Sequence, residues 1–163
     1  MLKYVDTLVS FQEIPDEISL CINISNCPCH CKGCHSPYLA EDIGEYLTYN
    51  KLLELVSSNK GISCVCFMGG DSNPGEINGL AAVIRYQTDL KIAWYSGRQY
   101  IPDGINLNYF DYIKVGPYIE EFGGLDNPNT NQKMYKVSKL PESLIDITNK
   151  FWKNDETKKE STC

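Results

Sequence analysis

The chain has 163 residues, 42% hydrophobic and 22% charged, the balance of a single globular domain long enough to bury one core. Its formal net charge of −6 argues against nonspecific nucleic-acid binding. Met1 to Glu17 lacks an apolar segment and carries Asp6, Glu13, Asp16 and Glu17, and no run is long enough to span a membrane. No signal peptide and a cytoplasmic location are therefore expected.

In chain order, Tyr4, Val5, Leu8, Val9 and Phe11 suit a short strand or hairpin over one end of the fold. Ile18 to Ile24 alternates and is rich in β-formers, which predicts a first strand ending at Ser25-Asn26. The stretch Cys27-Pro28-Cys29-His30-Cys31-Lys32-Gly33-Cys34-His35 follows. Asp42 to Tyr46 reads as polar loop. Thr48 is a natural N-cap for a helix running through Lys51 to Val56 and ending near Lys60-Gly61. Ile62 to Met68 is nearly continuous and apolar, as in a strand buried on both faces, and ends in Gly69-Gly70-Asp71. Glu76 to Tyr86 has helical spacing. Leu90 to Tyr95 predicts a third strand, closed by Ser96-Gly97-Arg98. Asp111 to Val115 predicts a fourth, closed by Gly116-Pro117-Tyr118. Ile119 to Gln132 is loop-rich, Met134 to Val137 suits a fifth strand, and Pro141 to Trp152 has the spacing of a last helix with Pro at its start.

Strands alternating with helices imply βαβ units and a parallel sheet. Four or five strands are too few to close an eight-stranded barrel. The expected α/β fold is an open, partial (β/α) barrel with mainly parallel strands. It forms one domain over residues 1–154, with a charged, flexible tail at 155–163.

Four of the eight cysteines and both histidines fall in the stretch from Cys27 to His35. Cysteines this dense in a reducing compartment point to metal or redox work rather than disulfides. Cys27, Cys31 and Cys34 are spaced so that one turn of backbone presents three thiolates to one small inorganic body. A zinc site, with Cys29, His30 or His35 as fourth ligand, is the plain alternative, although structural zinc usually pairs two such turns and here there is one. Gly69-Gly70 allows close approach of backbone to a ligand, or simply makes a turn. Lys114 stands in an otherwise apolar strand, where it either meets a carboxylate or snorkels to solvent. Cys21, Cys64 and Cys66 read as small buried hydrophobes. Tyr38, Tyr46, Tyr49, Tyr95, Tyr100 and Tyr118 lie near loop ends that could line a partner surface.

The cysteine spacing resembles the signature of the radical S-adenosylmethionine enzymes. Gly33-Cys34-His35-Ser36-Pro37 is most similar to the small activating proteins of anaerobic ribonucleotide reductases. Gly33 stands where many members carry an aromatic residue. The resemblance runs from about Tyr4 to about Gln132 and is most specific in the cysteine loop. It implies that Cys27, Cys31 and Cys34 ligate three irons of a [4Fe-4S] cluster whose fourth iron is left for S-adenosylmethionine. It further implies that Gly33, Cys34 and His35 lie against the cofactors, that Gly69, Gly70 and Asp71 meet the methionine amino group, and that Ser96 meets ribose or carboxylate. Lys114 joins this set as a carboxylate contact. Gly123-Gly124 with Asn131-Gln132 resembles a late element of the same proteins. The implied activity is reductive cleavage of S-adenosylmethionine to a 5′-deoxyadenosyl radical, which generates a glycyl radical on a large protein such as an anaerobic ribonucleotide reductase. A low-potential electron donor is then also required, and neither nucleic acid nor membrane is an expected partner. Activation of another glycyl radical enzyme, a radical enzyme acting on a metabolite, and a non-enzymatic iron-sulfur or zinc module are the alternatives.

Overall fold

The computed structural model describes residues 1–152; the expected boundary at 154 and the tail at 155–163, with Cys163, lie outside the described residues. Eight strands form one mixed sheet: β1 (Lys3–Ser10), β2 (Ser19–Ile24), β3 (Glu45–Tyr46), β4 (Cys64–Met68), β5 (Lys91–Tyr95), β6 (Tyr112–Val115), β7 (Lys133–Lys139) and β8 (Glu142–Asp146). Their order across the sheet is β3-β1-β2-β4-β5-β6-β7-β8. The centre, β2 to β6, is parallel, whereas β1 on β2, β3 on β1, β7 on β6 and β8 on β7 are antiparallel.

This corrects the expected partial (β/α) barrel. Among the described residues there are two α-helices, α1 (Tyr49–Ser58) and α2 (Pro74–Gln87). The three parallel pairings need three crossovers, and the one from β5 to β6 contains only a short 3-10 turn at Leu107–Tyr109. The antiparallel strands at both edges make an open mixed sheet with helices on one face. Met1 to Ser10 gives an edge-region strand paired along β2, and Glu45–Tyr46, read as loop, pairs with its start. The expected helix over 141–152 is instead β8 followed by a 3-10 turn at Thr148–Phe151. Leu140-Pro141 turns the chain back on itself, so Lys139 pairs with Glu142 and Tyr135 with Asp146. The apolar spacing that mimicked a helix divides: Ile147 is buried, while Leu144 and Ile145 stay exposed.

The two helices start where the side chains dictate. Thr48 accepts a hydrogen bond from the Lys51 amide at 3.1 Å, and Asn73 accepts one from the Glu76 amide at 3.2 Å ahead of Pro74. Successive strand residues face opposite sides. Leu20, Ile22, Val65, Phe67, Ile92 and Trp94 pack beneath α1 and α2, against Leu52, Ile77, Leu80 and Ile84. Cys21, Cys64, Cys66, Ala93, Tyr112 and Met134 face the other side, here called the inner face. The β1–β2 connection crosses this face and buries Ile14 completely, and the Tyr95 hydroxyl donates to its Glu13 carbonyl at 2.5 Å. Both faces are thus covered, which is why Ile62 to Met68 is apolar without alternation. Burial raises the Cys64 thiol to about 12 and drives the Cys66 thiol up as well, so these two are inert small side chains.

Candidate functional site

Parallel strands β2, β4, β5 and β6 bring their carboxyl ends to one edge, the place where open α/β sheets hold ligands. The cysteine loop follows β2, Gly69-Gly70-Asp71 follows β4, Ser96-Gly97 follows β5 and Gly116 follows β6. The expected site residues are therefore gathered by topology.

The loop bends through left-handed backbone at Asn26 (φ 59°), His30 (φ 43°) and Gly33 (φ 75°). Only glycine adopts that conformation freely, and the ring of Tyr118 occupies the space beside Gly33. Tyr118 also packs edge-on against His35, with ring centroids 5.2 Å apart. Cys27, Cys31 and Cys34 line one cavity of about 350 Å³, with His30, Met68 and Gly69 and an apolar wall including Ile24, Pro37 and Leu39. The Ser36 amide donates to the Cys34 sulfur at 3.4 Å. Cys29 does not line this cavity, although its thiol stays beside Cys27. A Cβ on Gly97 would lie 2.6 Å from Cys29 Sγ, so the thiol rests on the β5 loop. Burial, with Asp71 and Cys27 nearby, raises it to about 12.

These residues suit an iron-sulfur cluster as a donor set: three thiols on one cavity, an amide aimed at one sulfur, and a partly apolar wall. Among the described residues, however, no three His, Cys, Asp or Glu side chains converge closely enough to hold a metal ion as they stand.

Gly69 (φ 96°) and Gly70 (φ 88°) make a sharp left-handed exit from β4. A Cβ on Gly70 would lie 2.4 Å from Ile77 Cδ1, and one on Gly69 would lie 3.1 Å from the Ile24 carbonyl oxygen. The Gly69 carbonyl accepts from the Trp94 indole at 2.8 Å. Asp71 is fully buried and its carboxylate faces inward: it accepts from the Ser96 hydroxyl at 2.6 Å and the Gly97 amide at 2.8 Å. The Arg98 guanidinium donates to the Asp71 carbonyl at 2.7 Å and stands 3.5 Å from its carboxylate. Asp71 and Ser96 thus lock the β4 and β5 loops together. Lys114 lies on the inner face of β6, buried rather than snorkelling, and donates to the carbonyls of Gly116 at 2.7 Å and Ser96 at 3.3 Å. Burial lowers it to about 8 against the opposing pull of Asp71.

The late element expected at Asn131-Gln132 is also placed here. Asn131 donates to the Pro117 carbonyl at 2.9 Å, while its Oδ1 is buried without a partner. Gln132 is buried against Gly116, where a Cβ would sit 2.9 Å from Gln132 Cα. The late loop is thus fastened to the same end of the sheet. Of the tyrosines expected near loop ends, Tyr95 donates to the Glu13 carbonyl, Tyr38 donates to Asp6 at 3.2 Å, and Tyr46, Tyr49 and Tyr100 are exposed. No helix among the described residues is long and apolar enough to cross a membrane. No family model matches the chain, and searches of characterised proteins and of solved structures found no match.

Proposed function

We propose that the chain is a small radical S-adenosylmethionine enzyme that activates a large glycyl radical protein, of which an anaerobic ribonucleotide reductase is the best candidate. The observation that carries this reading is the common cavity of Cys27, Cys31 and Cys34 beside Met68-Gly69. Three thiolates leave one vertex of a [4Fe-4S] cluster for an exogenous ligand, whereas four would close it. When bound, the cluster and S-adenosylmethionine would supply one-electron reductive cleavage of the sulfonium. The chain's own residues do the rest. Cys27, Cys31 and Cys34 hold the metal, and the Ser36 amide steadies one sulfur. Ile24, Pro37, Leu39 and Met68 supply an apolar wall, and a docked protein substrate would complete the exclusion of water. The Asp71–Ser96–Gly97 bonds fix two loops over which the cosubstrate would lie.

Cys34 and His35 are exposed at the rim of the loop, which supports a substrate that is itself a folded protein and covers the site on docking. The chain would also need a low-potential electron donor. One observation favours a second reading. His30 lines the same cavity as the three cysteines, which is the ligand set of a closed Cys3His zinc site. The two are separated by anaerobic reconstitution. The proposed enzyme retains about four irons per chain and cleaves S-adenosylmethionine with dithionite, and Cys31→Ala abolishes cleavage while the fold persists. Retention of one zinc and no cleavage would establish the second reading. Complex formation with an anaerobic reductase under reducing conditions tests the partner.

A further inference from the structure

Lys114 is a buried ammonium for which the described residues offer no carboxylate within salt-bridge distance; its acceptors are two neutral carbonyls, of Gly116 and Ser96. A buried charge held only by neutral groups is costly, so its retention calls for a negative charge close by. Asp71 is the largest charge acting on it, but that carboxylate is shared with the Arg98 guanidinium 3.5 Å away. A second source of negative charge is the cysteine loop. The carbonyl that Lys114 bonds belongs to Ser96, the next residue is Gly97, and the side of Gly97 is in contact with the cysteine loop through Cys29 Sγ. Lys114 pairs with Tyr95 of β5, so its ammonium, the Ser96-Gly97 turn and the cysteine loop meet at one end of the sheet. Thiols are neutral, but metal-bound cysteines are thiolates. Three thiolates outweigh the charge of a zinc ion or of an oxidised [4Fe-4S] core, so loading Cys27, Cys31 and Cys34 would leave a centre of net negative charge at the same end of the sheet as the buried cation.

We propose that Lys114 is the counter-charge of the metal-loaded cysteine loop: a positioning residue that retains the metal and eases reduction of the centre, rather than a direct contact to a ligand carboxylate. This rests on reading the loop as a metal centre. In the metal-free protein the charge that chiefly opposes burial at Lys114 is that of Asp71.

The test compares wild type, Lys114→Gln and Lys114→Arg after anaerobic loading, without S-adenosylmethionine, by metal release to a chelator and by redox titration of the iron-loaded form. Lys114→Gln keeps a hydrogen-bond donor and removes the charge. It is expected to release metal about 10-fold faster or more and to show a lower reduction potential, and Lys114→Arg to restore much of both. Unchanged release and potential in a folded Lys114→Gln, with weakened S-adenosylmethionine binding, would overturn the proposal in favour of a carboxylate contact while leaving the metal reading intact. If Lys114→Gln does not fold, Lys114→Arg decides alone: retention and potential near wild type support the counter-charge, and loss of both overturns it. A wild-type chain that retains neither iron nor zinc would overturn the metal reading, and this inference with it.

Discussion

Asp71 illustrates how a residue chosen for its motif can serve the frame around a site. Its carboxylate is buried and fully used by Ser96, Gly97 and Arg98. Asp71→Asn leaves one donor without its acceptor and should destabilise the protein by about 1–3 kcal/mol in urea unfolding. Gly70 answers to sterics in the same way. Its φ of 88° and the 2.4 Å approach of Ile77 Cδ1 to an added Cβ make Gly70→Ala unfavourable by about 1–3 kcal/mol, and Ile77→Val in the same chain should recover part of that. Lys114 gives a pH signature. Its folded value, about 8, lies below the ordinary 10.5, so between those limits the unfolded chain binds more protons than the folded one. Stability of the metal-free protein therefore gains from Lys114 as pH rises from about 8 to 10.5, by at most about 1.4 kcal/mol per pH unit. Asp71 and the thiols of Cys27, Cys29 and Cys31 act on the same charge. The difference between wild type and Lys114→Met, followed by denaturation across that range, isolates the lysine. A flat difference would contradict the assignment.

At the scale of elements, the sequence carries the central strands and both helices clearly and the edges poorly. Ile62 to Met68 and Leu90 to Tyr95 are apolar because both of their faces are buried, and Thr48 and Pro74 mark helix starts by their own chemistry. The edge strands lack that signal. Glu45–Tyr46 is two exposed residues held by pairing with Lys3 and Tyr4, a long-range partner that no local pattern announces. In β8, Leu144 and Ile145 are exposed on an outer strand, and their spacing with Ile147 and Phe151 imitates a helix. The β1–β2 connection was equally silent, although it covers the inner face through Ile14. Ile14→Ala should cost about 2–5 kcal/mol, and Phe11→Ser, which alters an exposed side chain of the same segment, should stay within about 0.5 kcal/mol. Equal effects of the two substitutions in thermal unfolding would show that this segment is not packed as described.

For the molecule as a whole, parallel strand ends gather residues that are distant in sequence. Cys27, Gly69, Ser96, Lys114 and Asn131 share one edge because four adjacent strands run the same way and the late loop folds back on β6. That gathering was legible from strand order alone, whereas the inward use of Asp71 and Ser96 was not, since hydrogen-bond partners depend on loop geometry. The cysteine loop remains the centre of the account, and its claim is that three protein sulfurs hold a cluster with one vertex free. The most direct measurement is electron paramagnetic resonance of the anaerobically reconstituted, reduced protein with and without S-adenosylmethionine, in wild type and in His30→Ala. The account predicts a [4Fe-4S] signal that changes on adding S-adenosylmethionine and is unaltered by His30→Ala. A signal indifferent to S-adenosylmethionine, or a metal lost when His30 is removed, would contradict it.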